Sequence, residues 1–375
     1  MASATTRRQF LRQTAFASAA LYGRQFARAE PVSTADYDAA PVDGAAVRSF
    51  ASQITGRVIT TDGPDYEAAR QVFNRAFDQR PALIVRCASP QDVARALEFA
   101  QRRSLPVAVR GGGHSRAGFS VCNGGMVIDF SAMKRVEVND QKHVARAEAG
   151  ALVRDLDQAT QHFGLATTSG GCPNVGIAGF TLGGGEGVLM SKFGAACDNL
   201  LSAHVVTVDG KQLDASSSSN QDLFWAIRGG GGNFGVVTSF EYRLHPVNEI
   251  LSGTLTYPAR QDQLHAFARF VATAPNEMNV IAEMLSSQNG LRFLIHLRYL
   301  GSARAANDLL QPLRSPLHPL DDNVRAMSYL ESQTAGFTHC RLPTFRRICS
   351  FPHSLNQRLR QSSPPSTTRP RSSGC

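Results

Sequence analysis

The sequence predicts an α+β chain in two units: a larger one of short strands, helices and glycine-rich loops, and a smaller one built on an antiparallel sheet. Three observations carry this expectation. From Pro81 onward, short apolar runs of strand type alternate with segments whose apolar residues recur at helical spacing. Three glycine clusters each adjoin one of those runs. Beyond residue 249, alternating apolar runs at 253–257, 280–285 and 292–299 replace the glycine-rich pattern.

Taken in order, residues 1–29 hold five arginines and no acid. Thr6-Arg7-Arg8-Gln9-Phe10-Leu11-Arg12 has the form of a twin-arginine export signal, followed by a modest apolar stretch at 14–22 and the small-x-small pattern Ala27-Arg28-Ala29. A disordered basic N-terminus with a chance arginine pair is the plainer alternative. The stretch is shorter than the ~20 residues a membrane span needs. The expectation is export by the twin-arginine machinery, to the periplasm or outside the cell, with no membrane span. Residues 30–75 form an N-terminal segment that is mixed and poorly patterned.

Ordered signals then begin. Ala82-Leu83-Ile84-Val85 reads as a strand. Ser89-Pro90-Gln91-Asp92 starts a helix, with a serine cap, proline at the first helical position and an acid three residues on. Val93, Ala96, Leu97 and Ala100 form its buried face. Residues 105–109 form a strand running straight into Arg110-Gly111-Gly112-Gly113-His114-Ser115. Strands at 127–129 and 143–147 and a helix at 152–163 lead to the second glycine stretch, SGGCPNVGIAGFTLGGGEG, at 169–187. A strand at 201–208 closes on Asp209-Gly210, a hairpin-turn signal. A short helix at 222–227, the third cluster GGGGNFG at 229–235 and a strand at 236–244 complete the larger unit. The boundaries read are 76–248 for this unit and 249–336 for the smaller one.

Charge and cysteine usage narrow the function. The formal net charge is +9, but the 337–375 tail holds seven arginines and no acid, and the chain between leader and tail carries a net −3. A folded nucleic-acid binder shows a basic face, so nucleic acid is not expected as a partner. The tail, rich in Arg, Ser and Pro, reads either as disordered or as the product of a reading-frame shift. Seven cysteines without regular spacing give no disulfide framework, and no CxxC or paired histidine points to a metal.

Glycine lets backbone amides approach a ligand closely, and successive exposed N–H groups suit a pyrophosphate. Flexible surface loops would explain one such cluster but not three, each beside a strand. Neither GxxxxGK[ST] nor a clear strand–turn–helix GxGxxG with its later acid is present. RGGGHS, CPNVGIAGFTLGGGEG and LFWAIRGGGGNFGVVT, in this order and spacing, resemble the FAD-linked oxidases of the berberine bridge enzyme type. These belong to the vanillyl-alcohol oxidase and p-cresol methylhydroxylase superfamily. The resemblance covers about residues 75–250 closely and runs loosely to about 330.

The resemblance implies a two-subdomain FAD-binding domain of the p-cresol methylhydroxylase type, followed by an incomplete antiparallel-sheet substrate domain. His114 matches the histidine that bonds the 8-methyl carbon of the flavin ring, where a neutral imidazole is a competent nucleophile. Outside the motif, a histidine after glycines is more often a loop residue. Cys172 matches the cysteine that bonds carbon six in doubly linked members, which requires a thiolate; a small buried cysteine is the plainer alternative. Val175 matches a position that helps set oxygen access, although simple packing explains a valine equally well. Arg110, Gly111, Gly112, Gly113 and Ser115, with Gly176, Ile177, Gly179, Gly183, Gly184 and Gly185, are implied to hold the pyrophosphate and adenosine parts. Asn233, Phe234, Gly235 and Val236 complete the cleft. The implied reaction takes a hydride from an alcohol or similar C–H donor, such as a sugar or secondary metabolite. Oxygen then accepts the electrons and gives hydrogen peroxide.

The chain also departs from the pattern. Family members are longer, and their C-terminal part supplies a Tyr-x-Asn segment that has no match here. No general base is assigned: Glu283, His296 and Tyr299 read as structural polar residues in strands. The missing returning segment should leave apolar sheet surface exposed, and a non-catalytic flavoprotein is the alternative reading.

Overall fold

The apolar run after Pro81 becomes the strand Leu83–Arg86, a central strand of a four-stranded sheet. Leu83, Ile84 and Val85 are each at most 1% exposed, because alternate side chains face two different cores. Such two-sided burial is what a continuous apolar run, as opposed to an alternating one, encodes. In this computed structural model, which describes residues 42–287 and 290–335, Leu83–Arg86 and Val107–Arg110 both run parallel to Met126–Asp129 between them. The expected leader at 1–29 and tail at 337–375 lie outside the described residues.

Between the first two parallel strands runs the helix Pro90–Arg102. Ser89 caps it by accepting from the Asp92 amide at 3.2 Å. The acid three residues on does a different job from the one the pattern suggests. The Asp92 carboxylate is fully buried and accepts from the backbone amides of Thr55, Gly56 and Ala88 at 2.9–3.0 Å. It thereby ties the helix start to the preceding segment. That segment holds more structure than its sequence suggests: helices Gly44–Ala51 and Tyr66–Arg70, and the strand Arg57–Thr60, paired antiparallel with Leu83–Arg86. Its elements are short and its strand is an edge with one fully buried residue, Ile59, so no sustained period arises.

A second sheet of five antiparallel strands follows, in the order Val136–Asn139, Val144–Glu148, Val236–Arg243, Leu200–Val206, Gln212–Ser216. The Asp209-Gly210 signal closes the last hairpin, with Gly210 at φ +79°. Ala145, Ala147, Val205 and Phe240 join Leu83, Val93, Ala96 and Ile128 in one core shared by both sheets.

The smaller unit is antiparallel as expected. Met278–Ser287, Gly290–Tyr299 and Glu249–Pro258 lie side by side, with Asp321–Asp322 and Arg325–Ser328 pairing with the last. Helices Gln261–Thr273 and Ala303–Arg314 cover one face, burying Phe293, Ile295, Leu255 and Tyr257 against Phe270 and Leu310. On the strands Met278–Ser287 and Gly290–Tyr299, Ile281, Met284, Leu285 and Leu291 remain 44–51% exposed. The last helix among the described residues, Tyr329–Ala335, packs both on the strands Glu249–Pro258 and Arg325–Ser328 of this unit and on the helix Val153–Gln161 of the larger one.

Candidate functional site

The three parallel strands end together at Arg86, Arg110 and Asp129. In open sheets ligands gather outside such carboxyl ends, and here the first glycine cluster leaves directly from one. Asp129 accepts from Arg86 Nε at 3.2 Å, Arg110 Nη2 at 2.9 Å and Ser131 Oγ at 2.9 Å. Burial opposes the charge on Asp129, but Arg110 and Ser131 more than offset it, so its carboxyl sits below the usual range. The Arg110 guanidinium also donates to the Ala69 carbonyl. That side chain is buried structure beneath the loop. Above it lies a cavity of about 230 Å³ lined by Phe73, Arg86, Gly111, Gly112, Gly113, Ser131 and Lys134, among others. Lys134 and Arg86 give it the positive lining a diphosphate needs.

The loops meet backbone to backbone. A Cβ on Gly176 would lie 2.2 Å from the Gly112 nitrogen, and one on Gly112 would lie 2.4 Å from the Gly176 nitrogen. Only glycine at both positions permits this approach. Val153 and Arg154, at the start of a helix, donate to Val175 O at 2.9 Å and Pro173 O at 3.1 Å, which anchors the second loop. The third cluster closes on the same unit: the Gly229 and Gly231 amides donate to Leu182 O at 3.0 and 2.9 Å. The three clusters, far apart in sequence, therefore form one continuous cradle.

At its mouth, His114 stacks on Phe73 with ring centroids 3.6 Å apart. Its Nε2 lies 4.0 Å from Cys172 Sγ. Burial lowers the His114 pKa below its ordinary value, which favours the neutral imidazole a nucleophile requires. Cys172 is disulfide-bonded in the structure, so reaction at its sulfur requires that bond to be open.

The other expected residues divide by role. Ser115 Oγ accepts from the Phe119 amide at 3.1 Å, shaping the turn after the first cluster. Ile177 buries its side chain in the core and donates its amide to Ala151 O. Gly183 and Gly184 close the end of the helix Ile177–Leu182, and Gly185 packs against Phe180 and Ala196. Gly179 and Gly184 have no atom within 4 Å of where a side chain would start, leaving open space beside them. Gly235, at φ +146°, precedes the buried Val236 at the start of a strand. Asn233 donates to Gly230 O, and Phe234 is exposed. Glu283 Oε2 lies 3.2 Å from His296 Nε2, whose Nδ1 is 2.9 Å from Thr254 Oγ1, a row across three strands.

A family model described as an FAD binding domain matches residues 81–216, the stretch that holds two of the three clusters and both candidate anchors. The chain carries an FAD binding domain. It is 34% identical over 304 residues to an uncharacterised FAD-linked oxidoreductase of Bacillus subtilis, covering 76% of this chain and 64% of that one. The structure superposes on 6-hydroxy-D-nicotine oxidase from Arthrobacter nicotinovorans with TM-score 0.73 and 31% identity, covering 75% and 64%. It superposes on xylooligosaccharide oxidase from Myceliophthora thermophila with TM-score 0.70 and 25% identity, covering 77% and 63%. The chain thus spans less than two thirds of the length of each of these relatives. The cofactor is FAD, and the residues present fit it: a cationic floor, a glycine cradle only glycine can form, and an imidazole whose pKa burial lowers, beside the Cys172 sulfur.

Phe73 and Lys134 were not visible as site residues in the sequence. Phe73 sits in the unpatterned segment, and a lone lysine carries no motif. Among the described residues no cluster of His, Cys, Asp or Glu suits a metal, and no helix is long and apolar enough to cross a membrane.

Proposed function

We propose that this protein is an FAD-dependent oxidase whose flavin is attached through both His114 and Cys172. The observation that carries this reading is the 4.0 Å approach of His114 Nε2 to Cys172 Sγ at the mouth of the cradle, close enough for both to reach one edge of a single ring system. Bound there, FAD would supply hydride-accepting chemistry toward an alcohol or similar C–H donor, such as a sugar or secondary metabolite, with oxygen as the final acceptor giving hydrogen peroxide.

The chain's own residues have separable tasks in this reading. Phe73 holds the His114 ring by stacking, and its amide fixes the first cluster by donating to Gly113 O at 3.0 Å. Lys134, Arg86 and the amides of the first cluster bind the diphosphate. Val175 lies beside Cys172 with a small side chain, in keeping with access for oxygen. We assign no general base. His296 lies within hydrogen-bond distance of both Glu283 and Thr254, and Tyr299 is buried in the core of the smaller unit, which favours the structural role expected for Glu283, His296 and Tyr299.

Acid precipitation followed by single substitution tests attachment. Either His114→Ala or Cys172→Ala should leave flavin in the pellet, and only the double variant should release all of it. Hydrogen peroxide release with a panel of sugars and aromatic alcohols tests oxidase activity. A yellow, folded protein that turns over none of them supports the second reading, a flavoprotein without oxidase turnover. We also propose export through the twin-arginine pathway; Arg7→Lys with Arg8→Lys should keep the protein in the cytoplasm.

A further inference from the structure

Behind the Cys172 loop lies a polar cluster that the flavin site does not use. It joins three elements remote in sequence. Asp157, on the helix Val153–Gln161, is 2% exposed. Its Oδ1 accepts from Ser169 Oγ at 2.8 Å and its Oδ2 from Gln333 Nε2 at 3.1 Å. Gln333 Nε2 also lies 3.1 Å from both Ser169 Oγ and Gly170 O. Tyr329 OH is 3.2 Å from Ser169 Oγ. Ser169 and Gly170 are the residues through which the chain enters the loop at Cys172. Tyr329 and Gln333 belong to the helix sent across from the smaller unit. The other end of the loop is pinned by Val153 and Arg154 of the Asp157 helix, so Asp157 sits where both restraints converge.

We propose that Asp157 is the positioning residue for Cys172: through Ser169 and Gln333 its carboxylate fastens the entry of the Cys172 loop to the helix Tyr329–Ala335, and so sets how the sulfur meets the flavin edge. The inference rests on the covalent FAD reading above. Its two protonation states call for different arrangements. Ionised, Asp157 accepts from both Ser169 and Gln333, leaving the second Gln333 proton for Gly170 O. Protonated, it becomes a donor, and Gln333 Oε1, which has no hydrogen-bond partner among the described residues, is the acceptor within reach once the amide turns over. That turn takes the Gln333 donor away from Gly170 and loosens the loop. Burial raises the Asp157 pKa to about 7, against the opposing hydrogen bonds of Gln333 and Ser169, so both states are populated near neutrality. The titratable and charged groups facing it are Tyr329, whose own pKa burial raises, and beyond it Arg298, which donates to Ser332 O at 3.0 Å.

The test measures flavin held by Cys172 alone, an attachment that would exchange the C6–H bond of the ring for C6–S, release that proton and leave two electrons on the flavin for dissolved oxygen to remove. His114→Ala protein is expressed with a thiol reductant and FAD, incubated at a series of pH values and acid-precipitated, and the flavin in the pellet is quantified. The same is done after adding Asp157→Asn, which is isosteric and permanently neutral. At about pH 8.5 the Asn variant should attach about tenfold less flavin, the worth of one lost hydrogen bond to a charged group. At about pH 5.5, where Asp157 is itself neutral, the two should converge. Thiolate formation at Cys172 changes both proteins alike, so their ratio isolates Asp157. Should Asp157→Asn fail to fold, Ser169→Ala removes the link to the loop directly and should lower attachment at high pH in the same way. A ratio near one at every pH overturns the proposal, as does a constant ratio, which marks a merely structural role. Retention in Cys172→Ala but none in the His114→Ala parent overturns it too. A wild-type protein that takes up no flavin sinks the underlying FAD reading as well, so the two failures are distinguishable.

Discussion

At the level of single residues, the cradle depends on two glycines having no side chain. Gly176→Ala would place a methyl 2.2 Å from the Gly112 nitrogen. Backbone cannot yield there as a flexible side chain would, so the loops must part. Overpacking of this kind costs about 1–3 kcal/mol, and thermal melting with and without FAD should show lower stability and a weakened gain from the cofactor. An unchanged melting point in both states would show that the loops do not meet as described. His114 gives a second prediction. Because burial lowers its pKa, the imidazole stays neutral to lower pH than a free histidine, whose value is 6.5. Flavin attachment in Cys172→Ala should therefore persist below pH 6.5 and fall only further down; an attachment rate that halves at the ordinary value argues against a buried nucleophile.

At the level of elements, the sequence announced those with sustained periods and missed those whose role is a contact. The helix Pro90–Arg102 and its cap were legible because Ser89-Pro90 and the apolar spacing agree. The strand Arg57–Thr60 was not, because an edge strand of four residues with Ile59 as its one buried side chain carries no period. Asp92 looked like part of a capping box, yet tertiary contact redirected it to Thr55 and Gly56, a choice local sequence does not encode. The parallel strand ends yield a further prediction. Asp129→Asn leaves the Arg110 guanidinium buried without its counter-charge, and breaking such a pair costs about 3–5 kcal/mol. Asp129 has a lowered pKa in the folded state, so this stability is present above about pH 4 and is lost as pH falls through the folded value. Denaturant titration of wild type and variant should converge at low pH. Asp157 has the opposite sign: its raised pKa means the folded state holds a proton the unfolded chain releases. Stability should fall from about pH 4 to about pH 7 and then level, and Asp157→Asn should flatten that slope.

At the level of the whole molecule, the order RGGGHS, CPNVGIAG, GGGGNFG was enough to identify the larger unit. Three loops that bind one cofactor must keep their order on the sheets that present them. The site's geometry was legible in part: His114 and Cys172 were named from motifs, and the structure brings them within 4.0 Å. What the sequence could not show is what spans the two units. Tyr329 and Gln333 lie more than 150 residues from Asp157 and carry no motif, and only the fold places them behind the Cys172 loop. Covalent attachment of FAD by these converging groups is open to a direct measurement, acid precipitation of the purified, reduced protein. A yellow pellet whose flavin survives washing and denaturation is the expected result, whereas flavin released entirely into the supernatant would rule covalent attachment out.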